Sequence, residues 1–313
     1  MLDRLTENKV VLVTRRTRLD DLVARFNTVS QAKFYVEHLG ADFSDYVREH
    51  DQYRASVSAA VATLEQLGRL HVLDRSFLPN FIFGNDDTVV VLGQDGLVAN
   101  TVKYTTMQQV VGVNPDPARW EGVLLPFAVS DLGKILPEVF AHRRPIKEVT
   151  MAKAELNDGQ RLYAVNDLFI GVRSHISARY TISVGEKSEQ HSSSGLIVST
   201  GLGSTGWFRS LMTGAAKVAS EASGRKLKIE PPGGFAWDSD FLYYTVREPF
   251  PSKTSSATLV FGKITSRQPL KLVSQTPEVG VIFSDGIESD FLAFNSGTQA
   301  TISLAEKKGH LVI

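Results

Sequence analysis

Four short stretches of the chain bring together glycines, carboxylates, amides and hydroxyls at spacings that can do chemistry. The first is Gly93-Gln94-Asp95-Gly96, set directly after the apolar run at residues 88–92. Five mostly β-branched residues read as a strand buried on both faces, and residues 97–104 can follow as a helix. Glycines around a carboxylate at that junction form the layout in which backbone N–H groups and a helix N-terminus meet an anion. Asp95 would stand at the carboxyl end of the strand, where open α/β sheets place their ligands. The same four residues also make an ordinary tight turn, and alone they do not decide between the two.

The second stretch, Asn114-Pro115-Asp116-Pro117, follows the run at 109–113, and the third, Asn166-Asp167, closes the run at 161–165. The fourth, residues 192–207, is a short strand, then a loop of Gly, Ser and Thr, then Trp207 opening a helix. Such a loop offers N–H groups, small hydroxyls and close approach to a flat or anionic ligand, and Trp207 can stack on a ring. It fits a flexible connection with a core tryptophan equally well. Arg15 and Arg16 follow the strand at 10–13. Their guanidinium forks either meet phosphate oxygens or belong to a solvated loop.

Composition narrows the classes. Lys plus Arg equals Asp plus Glu, at 34 each, which gives no support for nucleic-acid or anionic-membrane binding. Cysteine is absent, so disulfides, thiolate nucleophiles and Cys-based zinc sites are excluded. The seven histidines show no metal-ligand spacing, and no metal site is expected from the side chains. The charged start of the sequence is unlike a signal peptide or organellar presequence, and no apolar run is long enough for a membrane span. A cytoplasmic protein is expected.

The elements that would position these residues change character along the chain. Strands are expected at 10–13, 70–73, 88–92 and 109–113. The chain from 19 to 68 is polar and helical, its best helix at 55–67, where Val57, Val61, Leu64 and Leu67 share a face and Gly68 ends it. A further helix is expected at 131–140, with Ser130 as its N-cap. Alternating strands and helices predict an α/β domain with a parallel sheet over 1–145. From 146 to 313 the segments are mainly strands, at 161–165, 179–184, 241–246, 257–261, 279–283 and 299–304. A hairpin turn is expected at 157–159 and one helix at 208–221. This predicts a mainly-β second domain, with the last residues packing back on the first.

In this order and at these separations, the four stretches resemble the NAD kinase family. Its signatures are a GGDG turn, an Asn-Glu pair after a strand, and a GDG…TPTGSTAY-like loop leading into a helix. The mitochondrial-type branch is the more similar. Its features match residues 111–117 with Glu121-Gly122, 166–171 with 177–179, Ser-Ser-Gly at 193–195, Thr-Gly-x-Gly-Ser at 200–204, and Arg-Glu-Pro at 247–249. Residues 9–14 and the helical insert before 68 also look like it. The likeness spans nearly the whole chain, and its motifs are specific in combination.

The resemblance implies an ATP-dependent kinase that phosphorylates the 2′-hydroxyl of the adenosine ribose of NAD, giving NADP. It implies an N-terminal α/β domain that binds nucleotide phosphates, a C-terminal β-sandwich that binds NAD, Mg²⁺ alongside ATP, and a homodimer or larger homo-oligomer. Asp95 would be the base, with Gly93, Gly96, Arg15 and Arg16 near phosphates. Asn166 would meet the adenine edge or ribose, since an amide both donates and accepts, and Asp167 the ribose hydroxyls. Thr205, Gly206, Trp207 and Ser210 fall on positions that line the NAD pocket. Asp285-Gly286 also matches a family Asp-Gly and reads as a turn.

Departures from the pattern bear on donor choice and rate more than on reaction class. Gln94 replaces the second glycine of the turn, Leu97 stands in place of Thr, and Asp167 is one methylene shorter than Glu. Ser194 occupies an aspartate position, while Thr205 and Gly206 look more like the general family than the branch. Two other readings remain: a related kinase acting on a sugar or lipid hydroxyl, and a non-catalytic NAD(P)-binding protein.

Overall fold

The computed structural model describes residues 4–226 and 234–313. The chain divides into two units, Met1–Lys147 with His310–Ile313, and Glu148–Gly309.

In the first unit, the elements are β1 (Lys9–Thr14), α1 (Arg18–Phe26), α2 (Val29–His38), α3 (Phe43–Leu67), β2 (Arg69–Asp74), β3 (Thr88–Leu92), α4 (Asp95–Val102), β4 (Gln109–Asn114), β5 (Phe127–Ala128) and α5 (Leu132–Phe140). The strands lie in the order β2-β1-β3-β4-β5, all parallel, and the final strand of the chain adds His310 and Leu311 beside Gln109 and Val110. The pleat divides the β-branched runs between two faces. Val10, Leu12, Val90, Leu92, Val111 and Val113 pack with Tyr53, Ala60 and Leu64 of α3 and with Leu132, Ile135 and Leu136 of α5. The alternate residues Val11, Val13, Val89 and Val91 are equally buried, so both faces are covered.

Three expectations shift. The helix expected at 55–67 begins twelve residues earlier, at Phe43. Its first turns pack on α1 and α2 through Phe43, Tyr46 and Val47, so the stripe facing the sheet starts only near Tyr53. α4 begins at Asp95 and not after Gly96, which makes the carboxylate a first-turn residue. Ser130 is not a cap: residues Val129–Asp131 form a single 3₁₀ turn, and the Asp131 carboxylate takes the Ala128 N–H at 2.8 Å.

The second unit holds β6 (Ile146–Leu156), β7 (Arg161–Ala164), β8 (Asp167–Val172), β9 (Ala178–Val184), β10 (Lys187–Ser193), β11 (Leu196–Ser199), α6 (Trp207–Ser223), β12 (Phe241–Val246), β13 (Phe261–Thr265), β14 (Leu270–Ser274), β15 (Gly280–Ser284), β16 (Ile287–Ala293) and β17 (Gln299–Val312), the last running on into the first unit. One sheet has the antiparallel order β13-β12-β11-β8-β15-β16; facing it are β10-β9-β14-β17 with β6 and β7. Strand alternation builds the core: Leu168, Ile170, Leu196, Val198, Leu242, Tyr244 and Ile282 of one sheet meet Ala152, Ala154, Tyr180, Ile182, Leu270, Leu272 and Ile302 of the other. The intervening Phe169, Ile197, Val281 and Phe283 point to the outer face, where Trp207 and Leu211 of α6 cover them. The architecture is an α/β unit with a parallel sheet followed by a mainly-β sandwich. Residues 257–260, expected in a strand, lie outside it, because the Glu189 carboxylate captures the N–H groups of Thr258 and Leu259.

Candidate active site

In the first unit the polar residues gather where β1, β3 and β4 end. Asp95 is half-buried, and each of its carboxylate oxygens is held by main chain: Oδ2 accepts the Val123 N–H at 3.1 Å and Oδ1 the Leu124 N–H at 2.8 Å. Those donors belong to residues 115–125, a strap fixed at several points. The Pro115 carbonyl accepts from Gln52 Nε2 at 3.1 Å and Ser56 Oγ at 2.9 Å, both on α3. The Asn114 side chain accepts the Asp116 N–H and donates to the Trp120 carbonyl. Arg119 pairs with Asp45 at 2.6 Å. The strap therefore sets the direction of Asp95, while each oxygen keeps lone-pair capacity for another donor.

Tyr53 ties down the start of the same turn. Its hydroxyl accepts the Arg15 N–H at 2.9 Å and donates to the Leu92 carbonyl at 3.0 Å, and burial raises its pKa, keeping the proton on. The two glycines of the turn differ. A Cβ at Gly93 would stand 2.7 Å from Leu97 Cδ2, so glycine there makes room for the first turn of α4. At Gly96, nothing lies within 4 Å of a Cβ, so the fold itself does not call for glycine. Gln94 is extended (φ −114°, ψ 164°), a conformation open to any residue, and makes no side-chain capping bond.

The two arginines also part company. The Arg15 guanidinium is engaged by buried Glu49 at 3.0 Å and by the Arg16 carbonyl, whereas Arg16 is exposed. Burial alone would raise the Glu49 pKa, but bonds from Arg18 and Arg15 carry it below the usual carboxylate range. The Asp45 carboxylate is also held well below its usual range, by the Arg119 guanidinium first and Arg18 next. Strap and helical insert thus share one ion-pair network.

In the second unit, Asn166 and Asp167 meet the Gly-Ser-Thr loop. The Asn166 carbonyl accepts the Thr200 N–H at 3.0 Å and its hydroxyl at 3.1 Å. The loop's Gly203 comes so close that a Cβ there would stand 2.0 Å from the Asn166 carbonyl oxygen. Thr205 and Gly206 are exposed just before α6, Ser210 is exposed on its first turns, and α6 has no side-chain cap. Trp207 stacks on Phe169 at 5.9 Å with planes 10° apart, and the Arg247 guanidinium lies 5.5 Å from its ring centroid. Trp207, Phe169 and Arg247 border a cavity of about 640 Å³ that also has Phe283, Phe291, Arg173 and Glu288 in its wall; Asn166, Asp167, Thr205, Gly206 and Ser210 are not in its lining.

Asp167 is 8% exposed, and neither its carboxyl nor the Asn166 amide has a hydrogen-bond partner among the described residues. Burial, and then the charge of Asp285, push the Asp167 pKa from 3.8 up to about 7. The folded chain therefore keeps a proton that the unfolded chain releases as pH rises from about 4 to about 7. Stability from this group is fully present below about pH 4 and lost by about pH 8, a change of about 4 kcal/mol at most. Urea unfolding of the wild type and Asp167→Asn at pH 5 and pH 8 checks this. The gap between them is expected to shift in favour of the variant at pH 8, and parallel responses would exonerate Asp167.

Sequence reasoning missed three contributors: the Val123 and Leu124 N–H groups, the Tyr53 hydroxyl and Asp285. Main-chain donors leave no residue-type signature, and Tyr53 hides within an apolar stripe. Asp285 carried a signal, its place in an Asp-Gly pair.

The fold is similar to those of solved NAD and NADH kinases. Yeast NADH kinase, solved with NADH, has a TM-score of 0.55 at 14% identity, the match covering 98% of this chain and 84% of that one. An NAD kinase from Archaeoglobus fulgidus, solved with ATP, has a TM-score of 0.56 at 14% identity, covering 97% and 93%. No family profile and no curated protein sequence matches the chain. Among the described residues, no helix is long and apolar enough to cross a membrane.

Proposed function

We propose that this protein is an NAD kinase, transferring the γ-phosphoryl group of ATP to the 2′-hydroxyl of the adenosine ribose of NAD. The observation that carries the reading is the seating of the 200–205 loop on Asn166: two motifs far apart in sequence supply one set of hydroxyls, amide and carboxyl. The fold shared with solved NAD and NADH kinases supports it. Aromatic walls and two guanidinium groups around Trp207 suit a flat ring beside a phosphate, which is dinucleotide chemistry.

In this reading Asn166, Asp167, Thr205, Gly206, Trp207 and Ser210 bind NAD. Gly93, Gly96 and Arg16 handle phosphates, with Arg15 contributing mainly through Glu49. The 2′-oxygen bonds to the γ-phosphorus as the bond to the β,γ-bridging oxygen breaks; ADP leaves, and the hydroxyl proton passes to Asp95. Mg²⁺ bound with ATP would offset charge on the transferring phosphoryl group. The reading includes a homodimer or larger homo-oligomer in the cytoplasm.

The test is incubation of pure protein with NAD, ATP and Mg²⁺, with NADP detected by an NADP-specific dehydrogenase. NADP is expected only when all three are present. NAD binding without NADP would leave a non-catalytic nucleotide-binding protein, and transfer to a sugar or lipid hydroxyl would point to the related kinases.

Gly96 provides a sharper check. Because its surroundings are open, Gly96→Ala is expected to keep or raise stability, by up to about 0.5 kcal/mol. The same Cβ is expected to weaken ATP binding about tenfold where phosphate passes against the backbone. Thermal melting and calorimetry read the two effects separately, and unchanged ATP affinity removes Gly96 from the phosphate site.

A further inference from the structure

Asp285 follows β15 and has no part in the reaction above, yet its carboxylate carries the main chain of the NAD-binding motif. It sits at φ +54°, a left-handed conformation that is unfavourable for a residue with a side chain. Its Oδ1 accepts the N–H groups of Val165 at 3.1 Å, Asn166 at 2.6 Å and Asp167 at 3.3 Å, and Oδ2 also receives Val165 at 3.1 Å. In return the Asp285 N–H donates to the Asp167 carbonyl at 3.0 Å. Three successive N–H groups converging on one carboxylate form an anion nest whose anion belongs to the protein. With the Val165 and Asn166 carbonyls bonded to Thr200, the main-chain groups of this turn are satisfied from both sides. Among the described residues, the Asn166 and Asp167 side chains of this turn keep open capacity.

We propose that Asp285 is the positioning residue of the Asn166–Asp167 pair, fixing the 165–167 backbone so that these two side chains alone are offered to the ligand. The ligand's identity rests on the reading above; the placement of Asp285 does not. Charge follows from the same geometry. β8 lies between β11 and β15: Ser199 stands opposite Asp167, Ser284 stands opposite Leu168, and the Asp285 N–H bonds the Asp167 carbonyl, so that of these three Asp285 alone is charged. Burial first, and then the neighbouring Asp285 carboxylate with its three N–H bonds, raise the Asp167 pKa. Below about pH 7 Asp167 then meets a hydroxyl as donor as well as acceptor.

The experiment compares the full-length wild type with Asp285→Asn, which keeps the shape but removes the charge and one acceptor. Without any ligand, ¹³C NMR of the Asp167 carboxyl is expected to titrate at least one pH unit lower in the variant. Calorimetry is expected to show NAD binding weakened at least tenfold, with ATP binding unchanged. An unmoved Asp167 midpoint overturns the coupling, and a moved midpoint with unchanged NAD affinity overturns the positioning role. If the wild type binds no NAD, the proposed function fails while the titration still judges Asp285. Should the variant not fold, the wild type suffices: the amide protons of Val165, Asn166 and Asp167 are expected to shift together as Asp285 is protonated in acid. Independent shifts of the three would overturn the nest.

Discussion

Asp95→Asn is expected to lower turnover by a factor of about 10² to 10⁴, the usual contribution of a positioned general base, while NAD affinity stays within about threefold. A ribose hydroxyl is a poor nucleophile, and an amide cannot take its proton. The structure adds a second expected effect. Asparagine keeps one accepting oxygen, but its NH₂ group would face a main-chain donor, so one of the bonds from Val123 and Leu124 is lost. An unsatisfied donor of this kind costs about 1–3 kcal/mol. The two effects fall on different observables: thermal melting reads the loosened strap, and single-turnover kinetics well below the melting temperature read the missing base. Equal losses in NAD affinity and turnover would make Asp95 a binding residue.

Gly203→Ala is expected to be strongly damaging to the second unit. The added Cβ would stand 2.0 Å from the Asn166 oxygen, 2.5 Å from its carbonyl carbon and 2.8 Å from its Cα. All three are backbone atoms, so no side chain can swing aside. The 200–205 loop must lift off Asn166, breaking the Thr200 bonds that join the two motifs. A destabilisation of about 3 kcal/mol or more is expected, with NAD binding lost in whatever fraction still folds. Gly214→Ala, inside α6, is the control. Nothing lies within 4 Å of a Cβ there, and its stability is expected to hold or rise by up to about 1 kcal/mol. If both variants melt alike, the loop is not seated on Asn166 as described.

How far the sequence reveals this arrangement depends on what does the holding. β3 is legible because five residues buried on both faces leave a plain apolar run. β9 is legible because Tyr180 and Ile182 alternate with more exposed residues on a half-covered sheet. β10 is not: residues Lys187–Ser193 form an edge strand with only His191 and Ser193 buried, so no apolar rhythm marks it. The polar first half of α3 hides for a related reason, since Ser44 and Arg48 bind Asp42 and Glu49 binds Arg18 on the insert. At the candidate site, the residue types were readable and their supports were not. Asp285 reads as a turn, and it is one; its grip on residues 118–120 positions away has no local trace.

The strap over Asp95 has a consequence for divergence. An acid held by amide hydrogens is held by something every residue except proline possesses. Side chains on the strap can then be replaced over evolutionary time without disturbing the carboxylate, provided the chain path is kept. A carboxylate geometry supported in this way can outlive nearly all of the sequence that first encoded it. At 14% identity along almost its whole length, this chain keeps the fold of the two solved kinases with little of their sequence.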